Sequence, residues 1–510
     1  MAELSATHSL KEDSEVADSG SPERTTPAGW SRREVLGGAG AITGFTFLPS
    51  RVLGRAGFLA PSEKLNVAFV GIGRRGSYDL REVANLQHNV VALCDVDWRK
   101  LEGQQYPLAV EMLEQFPKAK RYDDWRAMLQ REARNIDAVL VASADHTHAA
   151  ISIAAMKMGK HVYTEKPLAH SVEEVRAMQA AEKKYKVTTQ TGCQGHSSED
   201  CRLIVEWIRD GAIGTVREAH IFLSLNPPAR RFSYADVLKT LAEKHEVPEE
   251  VKWDLWLGPA PYRDYNPAYL LGRWRSWIDF GEGPLGDYCC HYFDPIFWAL
   301  DLGLPEKIEA RPDRDYDWAT NKQVYPHSAA IRWDFPARGK QPSVAIVWHY
   351  GPDSGDIPMP PGWNPKEKLP AAGGGIIFGS QGAIVFGPIY ASLPLTASTG
   401  EYKPVTWGTP TKIRMFPPEL ERDYKQPPKT LPRPFNHWWD WLESAKARKP
   451  AGAGFSYGGL MTETALLGNI ACTQKGKILY YDPKAGRFEN NPEANQLLRV
   501  SYRKGWELPA

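Results

Sequence analysis

The sequence has almost no excess of charge of either sign. Its 62 Lys and Arg residues nearly equal its 61 Asp and Glu residues, which leaves a formal net charge of +1 over 510 residues. Proteins that bind nucleic acid or anionic membranes through general electrostatic attraction carry a basic surplus, and this chain has none. We therefore expect no nucleic-acid partner.

Cysteine is scarce for a chain of this length. Six cysteines occur without any CxxC pair, namely Cys94, Cys193, Cys201, Cys289, Cys290 and Cys472. This pattern argues against a disulfide framework and a structural zinc site, so we expect reduced, mostly buried thiols and predict no metal site. With 42% hydrophobic residues, the chain has enough material for two or three cores and is expected to be multidomain and globular.

Long hydrophobic runs are lacking as well. The polar residues 1–30 lead into a match to the twin-arginine export signal, formed by Ser31, Arg32, Arg33 and Leu36. The apolar run that follows, 35–48, has 14 residues and several glycines, whereas a membrane-spanning helix needs about 20 apolar residues. We expect a disordered lead and export signal over 1–60, no stable membrane anchor, and a periplasmic protein that the twin-arginine machinery exports after folding. The alternative is a disordered tail with a chance pair of arginines.

A glycine motif typical of dinucleotide binding comes next. The apolar run 65–70 predicts a buried strand, and Gly71, Gly73 and Gly76 follow it as GxGxxG. The first glycine permits the tight turn, the second lets a pyrophosphate approach the backbone, and the third lets the following helix pack on the strand. The free amides at the start of that helix then face the anionic ligand.

Asp95 strengthens this interpretation and bears on the choice of cofactor. It ends a second apolar run, "NVVALCD", 19 residues after Gly76, where a carboxylate accepts hydrogen bonds from ribose hydroxyls. The same carboxylate repels the 2'-phosphate of NADP, so NAD is favoured. Arg74 and Arg75 keep NADP open, because either guanidinium could bind a phosphate; both could equally be exposed loop arginines.

Alternating strands and helices continue to about residue 192. Strands are expected over 136–142, up to Glu165 and at "VTTQTG", with helices between them. This order predicts a doubly wound parallel sheet over 61–192, whose ligands lie outside the carboxyl ends of the strands. Lys166 follows such an end, and Pro167 restricts its backbone to extended conformations.

The combined motifs resemble the glucose-fructose oxidoreductase, inositol dehydrogenase and MocA (Gfo/Idh/MocA) family. They are GxGxxG, the acidic end of the second strand, "SADHTH" at 143–148 and "EKP" at 165–167. The resemblance covers the chain from about Glu63 to its C-terminus. It implies a Rossmann domain, followed over 193–510 by an α/β domain whose large, mostly antiparallel sheet often forms an oligomer interface, so we expect a homo-oligomer. It makes Lys166 a catalytic candidate, and the cofactor-binding candidates are Gly71, Gly73, Arg74, Gly76, Asp95, His148, Glu165 and Lys166.

The second half contains the other catalytic candidates in "GEGPLGDYCCHYFDPIFW". Asp287 and His291 are four residues apart, which places them on one face of a helix. The resemblance implies that they lie in the substrate cleft, with His291 as general base and Asp287 holding its ring. Asp294 precedes Pro295 and is predicted to cap a new helix. A metal site that includes Asp287 and His291 is an alternative without supporting spacing.

Two further motifs, "WDLWLGPAP" at 253–261 and "YRKGWEL" at 502–508, resemble a longer, exported branch of the family. The segment from 253 to 284 is dense in Trp, Tyr and Arg. Aromatic faces stack on sugar rings and arginines bind hydroxyls or carboxylates, so the segment could line a carbohydrate cleft. The alternative for each tryptophan is core packing.

Three functions are consistent with the sequence. The first is an NAD-dependent oxidoreductase that acts on a hydroxyl of a sugar, polyol or derivative. The second is a glycosidase that uses retained NAD in a transient oxidation and elimination, which the export signal suggests because free NAD is scarce outside the cytoplasm. The third is a noncatalytic sugar binder on a dehydrogenase fold.

Overall fold

The computed structural model describes residues 59–104, 106–223, 234–389, 394–396, 402–404 and 413–509. The predicted twin-arginine signal lies outside these residues. In the described part of the chain, no helix is both long and apolar enough to cross a membrane. All six cysteines are buried and free, as the sequence predicted.

The N-terminal half contains a six-stranded parallel sheet with the strand order β3-β2-β1-β4-β5-β6. Its strands are β1 Asn66–Val70, β2 Asn89–Cys94, β3 Lys120–Tyr122, β4 Ala138–Val141, β5 His161–Glu165 and β6 Thr189–Gly192. The helices between them are α1 Arg75–Asn85, α2 Ala109–Gln115, α3 Trp125–Arg131, α4 His148–Lys157 and α5 Val172–Tyr185. This is the predicted doubly wound sheet of a Rossmann domain.

Both faces of this sheet are buried, which explains its continuous apolar strands. Val67 and Phe69 pack with α1, α2 and Trp438 on one face, whereas Ala68 and Val70 pack with α3, α4 and α5 on the other. Trp438 belongs to α11 His437–Ala447, a helix from the far end of the chain. The C-terminal half therefore completes the core of the first sheet.

The second half contains a nine-stranded, mostly antiparallel sheet, as expected. Its strand order is β15-β12-β11-β7-β10-β9-β8-β16-β17, and the pair β7 and β10 is parallel. The strands are β7 Val216–Phe222, β8 Lys307–Pro312, β9 Ala329–Phe335, β10 Val344–Tyr350, β11 Gly374–Gly379, β12 Ala383–Phe386, β15 Arg414–Phe416, β16 Ile478–Asp482 and β17 Arg487–Phe488, while β13 Pro394–Thr396 and β14 Tyr402–Pro404 form a separate pair.

The remaining helices connect the two sheets. They are α6 Glu199–Arg209, α7 Tyr234–Ala242, α8 Trp253–Leu257, α9 Gly283–Leu300, α10 Pro418–Asp423, α12 Phe455–Thr473 and α13 Pro492–Gln496. Short 3-10 turns occur at Pro61–Glu63, Asp145–Thr147, Gln194–Ser197, Pro267–Tyr269 and Arg273–Ser276. Helices α9 and α12 pack together between the sheets, where Phe293 contacts Trp333 and Trp348. One continuous core thus holds α9 rigidly beside the Rossmann sheet.

The prediction that Asp294 caps a new helix is wrong. Helix α9 continues through Pro295, and Asp294 is fully buried within it. Its Oδ1 accepts hydrogen bonds from His196 Nδ1 (2.8 Å) and the Tyr457 hydroxyl (2.5 Å). Burial raises the pKa of Asp294, but His196 and Tyr457 outweigh it, so the pKa lies below its usual range. A proline within a helix lacks the N–H for the regular hydrogen bond and usually breaks the helix, but the dense packing around α9 keeps it continuous through Pro295.

Candidate active site

The glycine loop after β1 has the shape that a dinucleotide requires. Gly71 has φ +77°, and a Cβ there would lie 2.5 Å from the backbone nitrogen of Ser143. A Cβ on Gly76 would lie 1.8 Å from the carbonyl oxygen of Gly71, so the start of α1 packs closely on the loop. Gly73 borders an open cleft. The loop therefore exposes backbone to a ligand, and the N-terminal end of α1 follows it directly.

The cleft lies along the carboxyl ends of β1 to β4 and contains about 1100 Å³ of space, including space open to solvent. One wall is the Rossmann domain, from Gly73 and Asp95 to Thr147. The opposite wall comes from the second half of the chain and includes Trp256 and Arg275. The position of this cleft at the strand ends matches dinucleotide sites in open α/β sheets.

Asp95 holds two loops of the cleft together. Its Oδ2 accepts the N–H of Ile72 (2.8 Å), and its Oδ1 accepts the N–H of Val96 (2.8 Å). Burial raises the pKa of Asp95 to about 6, and the hydrogen bonds from these amides oppose that shift. Two further amides contact the same carboxylate, since the Gly73 N–H lies 3.4 Å from Oδ2 and the Asp97 N–H donates to Oδ1 (3.1 Å). Asp95 also lines the cleft. Its contact with a ribose remains a prediction.

The two arginines of the loop have different environments. Arg74 has φ 51°, lines the cleft, and places its guanidinium 5.0 Å from the ring centroid of Tyr106. Arg75 is partly buried and forms ion pairs with Asp79 (2.8 Å) and Glu165 (3.1 Å). The alternative that both are exposed loop arginines is therefore wrong for Arg75, whose guanidinium is already bound by two carboxylates. Arg74 remains positioned for a ligand.

Glu165 lies buried beneath the cleft. Its Oε1 accepts hydrogen bonds from Gln194 Nε2 (2.6 Å) and the Tyr163 hydroxyl (3.2 Å), in addition to the ion pair with Arg75. Strand β5 ends at Glu165, and these bonds fix the point where the chain turns toward Lys166. In this structure Glu165 positions the EKP segment.

His148, predicted as a cofactor contact, occupies a different position. Its Nδ1 lies 3.0 Å from the carbonyl oxygen of Pro167 and its Nε2 lies 3.0 Å from that of Ser143. The ring is almost fully buried, and burial lowers its pKa. His148 thus ties the EKP segment to the end of β4 from behind the cleft wall, which is a positioning role.

Lys166 and Asp287, two of the predicted catalytic residues, are in contact, and Arg275 joins them. Lys166 Nζ lies 2.6 Å from Asp287 Oδ1 and also donates to the backbone carbonyl of Asp287. Arg275 Nε donates to the same Oδ1 at 3.1 Å. The Lys166 and Asp287 side chains are 12% and 9% exposed, so this pair is largely shielded from water and is stronger than a surface pair. Arg275 also lines the cleft and thereby joins this cluster to it.

His291 follows Asp287 by one turn of α9, which confirms that both residues share a helix. The imidazole is 8% exposed, and burial together with the charge of Lys166 lowers the pKa of His291 well below its usual value. The ring is therefore neutral at neutral pH. A neutral imidazole has a lone pair and accepts a proton, which is the requirement for a general base.

Two residues near this cluster were missed by sequence reasoning. Arg275 was one of several arginines in the aromatic segment, and nothing in its spacing linked it to Asp287. Asp145 stands inside "SADHTH" and is 3% exposed. Burial raises the pKa of Asp145 well above its usual value, while Arg275 and Lys166 oppose that shift. From the sequence, a carboxylate in a strand-to-helix turn is interpreted as a helix cap. Only the fold shows that Asp145 lies near the charges of Arg275, Asp287 and Lys166.

The aromatic segment mainly forms its own core. Trp253 stacks on Trp256 with ring centroids 4.8 Å apart, and Trp277 is fully buried. Trp256 and Trp274 additionally border the cleft. Core packing is thus the correct interpretation for Trp253 and Trp277. In the described residues, no group of three or more His, Cys, Asp or Glu side chains has the arrangement of a metal site.

Comparison with known proteins finds family models that match part of each half of the chain. A family model described as "Oxidoreductase family, NAD-binding Rossmann fold" matches residues 65–193, and one described as "Oxidoreductase family, C-terminal alpha/beta domain" matches residues 229–324. Levoglucosan dehydrogenase of Pseudarthrobacter phenanthrenivorans is 30% identical over 30% of this chain and 39% of its own length. A glycosyl hydrolase family 109 protein of Shewanella pealeana is 27% identical over 51% of this chain and 54% of its own length.

The matched region thus spans less than two thirds of either relative. Among solved structures, the WlbA dehydrogenase of Bordetella pertussis, in complex with NADH and UDP-GlcNAcA, has a TM-score of 0.51 at 15% identity and covers 82% of this chain and 99% of its own. That likeness shows the shared fold. Two domain models of the Gfo/Idh/MocA oxidoreductases thus match this chain in the same order as its two sheets.

Proposed function

We propose that the protein is an NAD-dependent oxidoreductase that acts on a hydroxyl group of a sugar, a polyol or a sugar derivative. The observation that carries this proposal is the cluster of Lys166, Asp287 and Arg275, which Arg275 joins to the dinucleotide cleft, with Lys166 Nζ 2.6 Å from Asp287 Oδ1. Donors that are held in place by a buried carboxylate suit a reaction in which an alcohol oxygen gains negative charge. The levoglucosan dehydrogenase relative supports the substrate class.

The residues of the cleft fit a nicotinamide dinucleotide. The backbone around Gly71, Gly73 and Gly76 would bind the pyrophosphate, and Asp95 would accept from the adenosine ribose. The Asp95 carboxylate favours NAD over NADP, because a 2'-phosphate would bring like charges together. The nicotinamide would then point toward Lys166, at the carboxyl end of β5.

Each catalytic candidate has a role that follows from its surroundings. A bound nicotinamide supplies the hydride acceptor. His291 Nε2 or Nδ1 takes the proton of the substrate hydroxyl, which its lowered pKa permits because the ring is neutral at the outset. Lys166 Nζ donates a hydrogen bond to the same oxygen as its charge develops. Asp287 holds the Lys166 ammonium group, and Arg275 in turn holds the Asp287 carboxylate.

The test is a spectroscopic screen. The protein is loaded with NAD and mixed with a panel of sugars and polyols that includes levoglucosan, and reduced nicotinamide is followed by its absorbance. We expect at least one compound to reduce the cofactor in the wild type and not in a variant with Asp287→Ala. Reduction that proceeds equally in both proteins would refute the assigned site.

A second candidate is a glycosidase that retains its NAD. The observation that favours it is the glycosyl hydrolase family 109 relative, which matches a longer share of this chain than the dehydrogenase does. A transient oxidation of the sugar hydroxyl by bound NAD would acidify the adjacent C–H bond, and the glycosidic group would leave by elimination. Water would then add to the resulting double bond, and return of the same hydride would restore the hydroxyl. Hydrolysis of a glycoside without added NAD, with solvent deuterium at the carbon beside the oxidised position, would support this function. Unexchanged product would exclude it.

We further propose export through the twin-arginine pathway and assembly as a homo-oligomer through the nine-stranded sheet. The export signal is the motif of Arg32 and Arg33 in the sequence, and double substitution by lysine should hold the protein in the cytoplasm. Unaltered export would refute the signal. The resemblance to the family supports the oligomer, and light scattering coupled to size exclusion would show a mass above the monomer's 57.1 kDa; a monomer would contradict it.

A further inference from the structure

The two motifs that no function has yet explained form one structural unit. Arg503, in "YRKGWEL", donates from Nη1 to Asp254 Oδ1 (2.6 Å), from Nη2 to the Asp254 carbonyl (2.8 Å) and from Nε to the Gly258 carbonyl (2.8 Å). Its backbone N–H also donates to the Pro259 carbonyl (3.1 Å). All four acceptor atoms belong to "WDLWLGPAP". The C-terminal tail is therefore fixed on the aromatic segment by four hydrogen bonds.

The same tail is bonded to the Rossmann domain. The Tyr502 hydroxyl donates to Glu174 Oε1 (3.0 Å) on α5. The Arg126 guanidinium, on α3, lies 4.1 Å from the ring centroid of Trp506. Gly258 lies between Trp506 and the Rossmann domain, since a Cβ there would meet Thr147 Cγ2 at 3.4 Å and Trp506 Cζ3 at 3.7 Å. The ring of Trp506 is thus held at a defined place on the edge of the first domain.

That place is the part of the cleft beyond Asp95. Trp506 borders the cleft together with Val96, which follows β2, and with Asp123 and Trp125, which follow β3. The pyrophosphate loop follows β1 and the ribose-binding carboxylate follows β2, so the base of a bound dinucleotide extends toward the ends of β2 and β3. Trp506 is only partly buried and borders the cleft there, with the guanidinium groups of Arg126 (4.1 Å) and Arg503 (5.7 Å) near its ring centroid.

We propose that Trp506, carried on the tail that Arg503 anchors, forms a wall of the adenine site of the cofactor. This proposal rests on the proposed use of NAD and adds the residues that hold its adenosine half. Aromatic rings stack on the faces of bases, and such contacts strengthen binding without regard to the chemistry at the other end of the ligand. The tail acts as a clasp that slows release of the dinucleotide.

The test measures binding of adenosine ligands separately from catalysis. ADP-ribose and AMP are titrated into the full chain by calorimetry, using the wild type, Trp506→Ala, Trp506→Phe and Arg503→Ala. A matched control is Trp439→Ala, because Trp439 is 38% exposed on α11 and does not border the cleft. We expect W506A and R503A to weaken binding of both ligands about tenfold or more. W506F should restore most of the affinity, and the control should bind like the wild type.

Three outcomes would overturn the proposal. W506A that binds ADP-ribose and AMP with wild-type affinity would show that the ring does not contact the base. W506F that binds as weakly as W506A would assign Trp506 a structural role. A wild-type chain that binds neither these ligands nor NADH would refute the proposed function itself, and with it the adenine site. Wild-type binding with an unaffected W506A variant refutes only the clasp, so the two failures are distinguishable.

Discussion

Replacing Lys166 with methionine isolates the role of its ammonium group. The substitution keeps the aliphatic chain and removes the donor that bonds the Asp287 carboxylate and carbonyl. Removing one partner of a buried ion pair costs about 3–5 kcal/mol when the other charge is left alone. Here Arg275 Nε still donates to Asp287 Oδ1 at 3.1 Å, so we expect a smaller loss of unfolding free energy, about 1–2 kcal/mol.

The expected loss of activity is much larger than the loss of stability. Positioned proton donors and acceptors contribute about 10²- to 10⁴-fold in rate, so kcat should fall by that factor. The affinity for ADP-ribose should change less than about twofold, because the glycine loop and Asp95 are untouched. The assay combines single-turnover reduction of bound NAD, calorimetric titration of ADP-ribose and urea unfolding.

Lys160→Met is the matched control for this experiment. Lys160 immediately precedes β5, so it lies at the opposite end of that strand from Lys166. Its ammonium group donates to the backbone carbonyls of Ala133 (2.5 Å) and Ile136 (2.8 Å). The control should lose stability and keep its kcat. A K166M enzyme that retains more than about a tenth of the wild-type rate would refute the catalytic role. Loss of ADP-ribose binding in K166M would show a role in cofactor binding instead.

Three further predictions follow from buried groups. Asp294→Ala leaves His196 and Tyr457 without their shared acceptor and should lower the free energy of unfolding by about 3 kcal/mol in urea titrations. The surface variant D423A should not lower it to that extent. Equal losses in the two variants would refute a stabilising role for the hydrogen bonds to Asp294. Because His291 is neutral in the fold, the acid limb of kcat/KM should lie below pH 6.5, and a limb above that value would contradict His291 as the base. Burial lowers the pKa of His88 to about 4, so as the pH falls the unfolded chain binds a proton on His88 near pH 6.5 and the folded chain binds it only near pH 4. The free energy of unfolding should therefore decrease by up to about 3 kcal/mol as the pH is lowered from 6.5 to 4. H88Q should remove this pH-dependent decrease.

The sequence was most informative where local chemistry and fold require the same residues. The glycines after β1 are needed because a Cβ at Gly71 or Gly76 would collide with backbone, and this requirement appears directly as GxGxxG. The spacing of Asp287 and His291 likewise follows from helix geometry. Both features depend on a few neighbouring residues, and the fold and the family were predicted from them.

Features that depend on distant packing could not be predicted in the same way. Pro295 signals a helix boundary locally, but α9 lies between two packed layers and continues through it. Arg275 contacts Asp287 because the chain turns back around a loop. Arg503 contacts Asp254 because the C-terminal tail returns across hundreds of residues of sequence. No periodicity in the sequence encodes these contacts. They emerge from the three-dimensional arrangement of the core.

We propose that the cleft lined by Trp256 and Arg275 holds a nicotinamide dinucleotide whose nicotinamide lies beside Lys166. The most direct test is to purify the full chain, denature it, identify any released nucleotide by mass spectrometry, and titrate the remaining empty protein with NAD and NADH. We expect NAD or NADH, either released in near-stoichiometric amount or bound to saturation in the titration. A chain that releases no dinucleotide and binds neither form would contradict it.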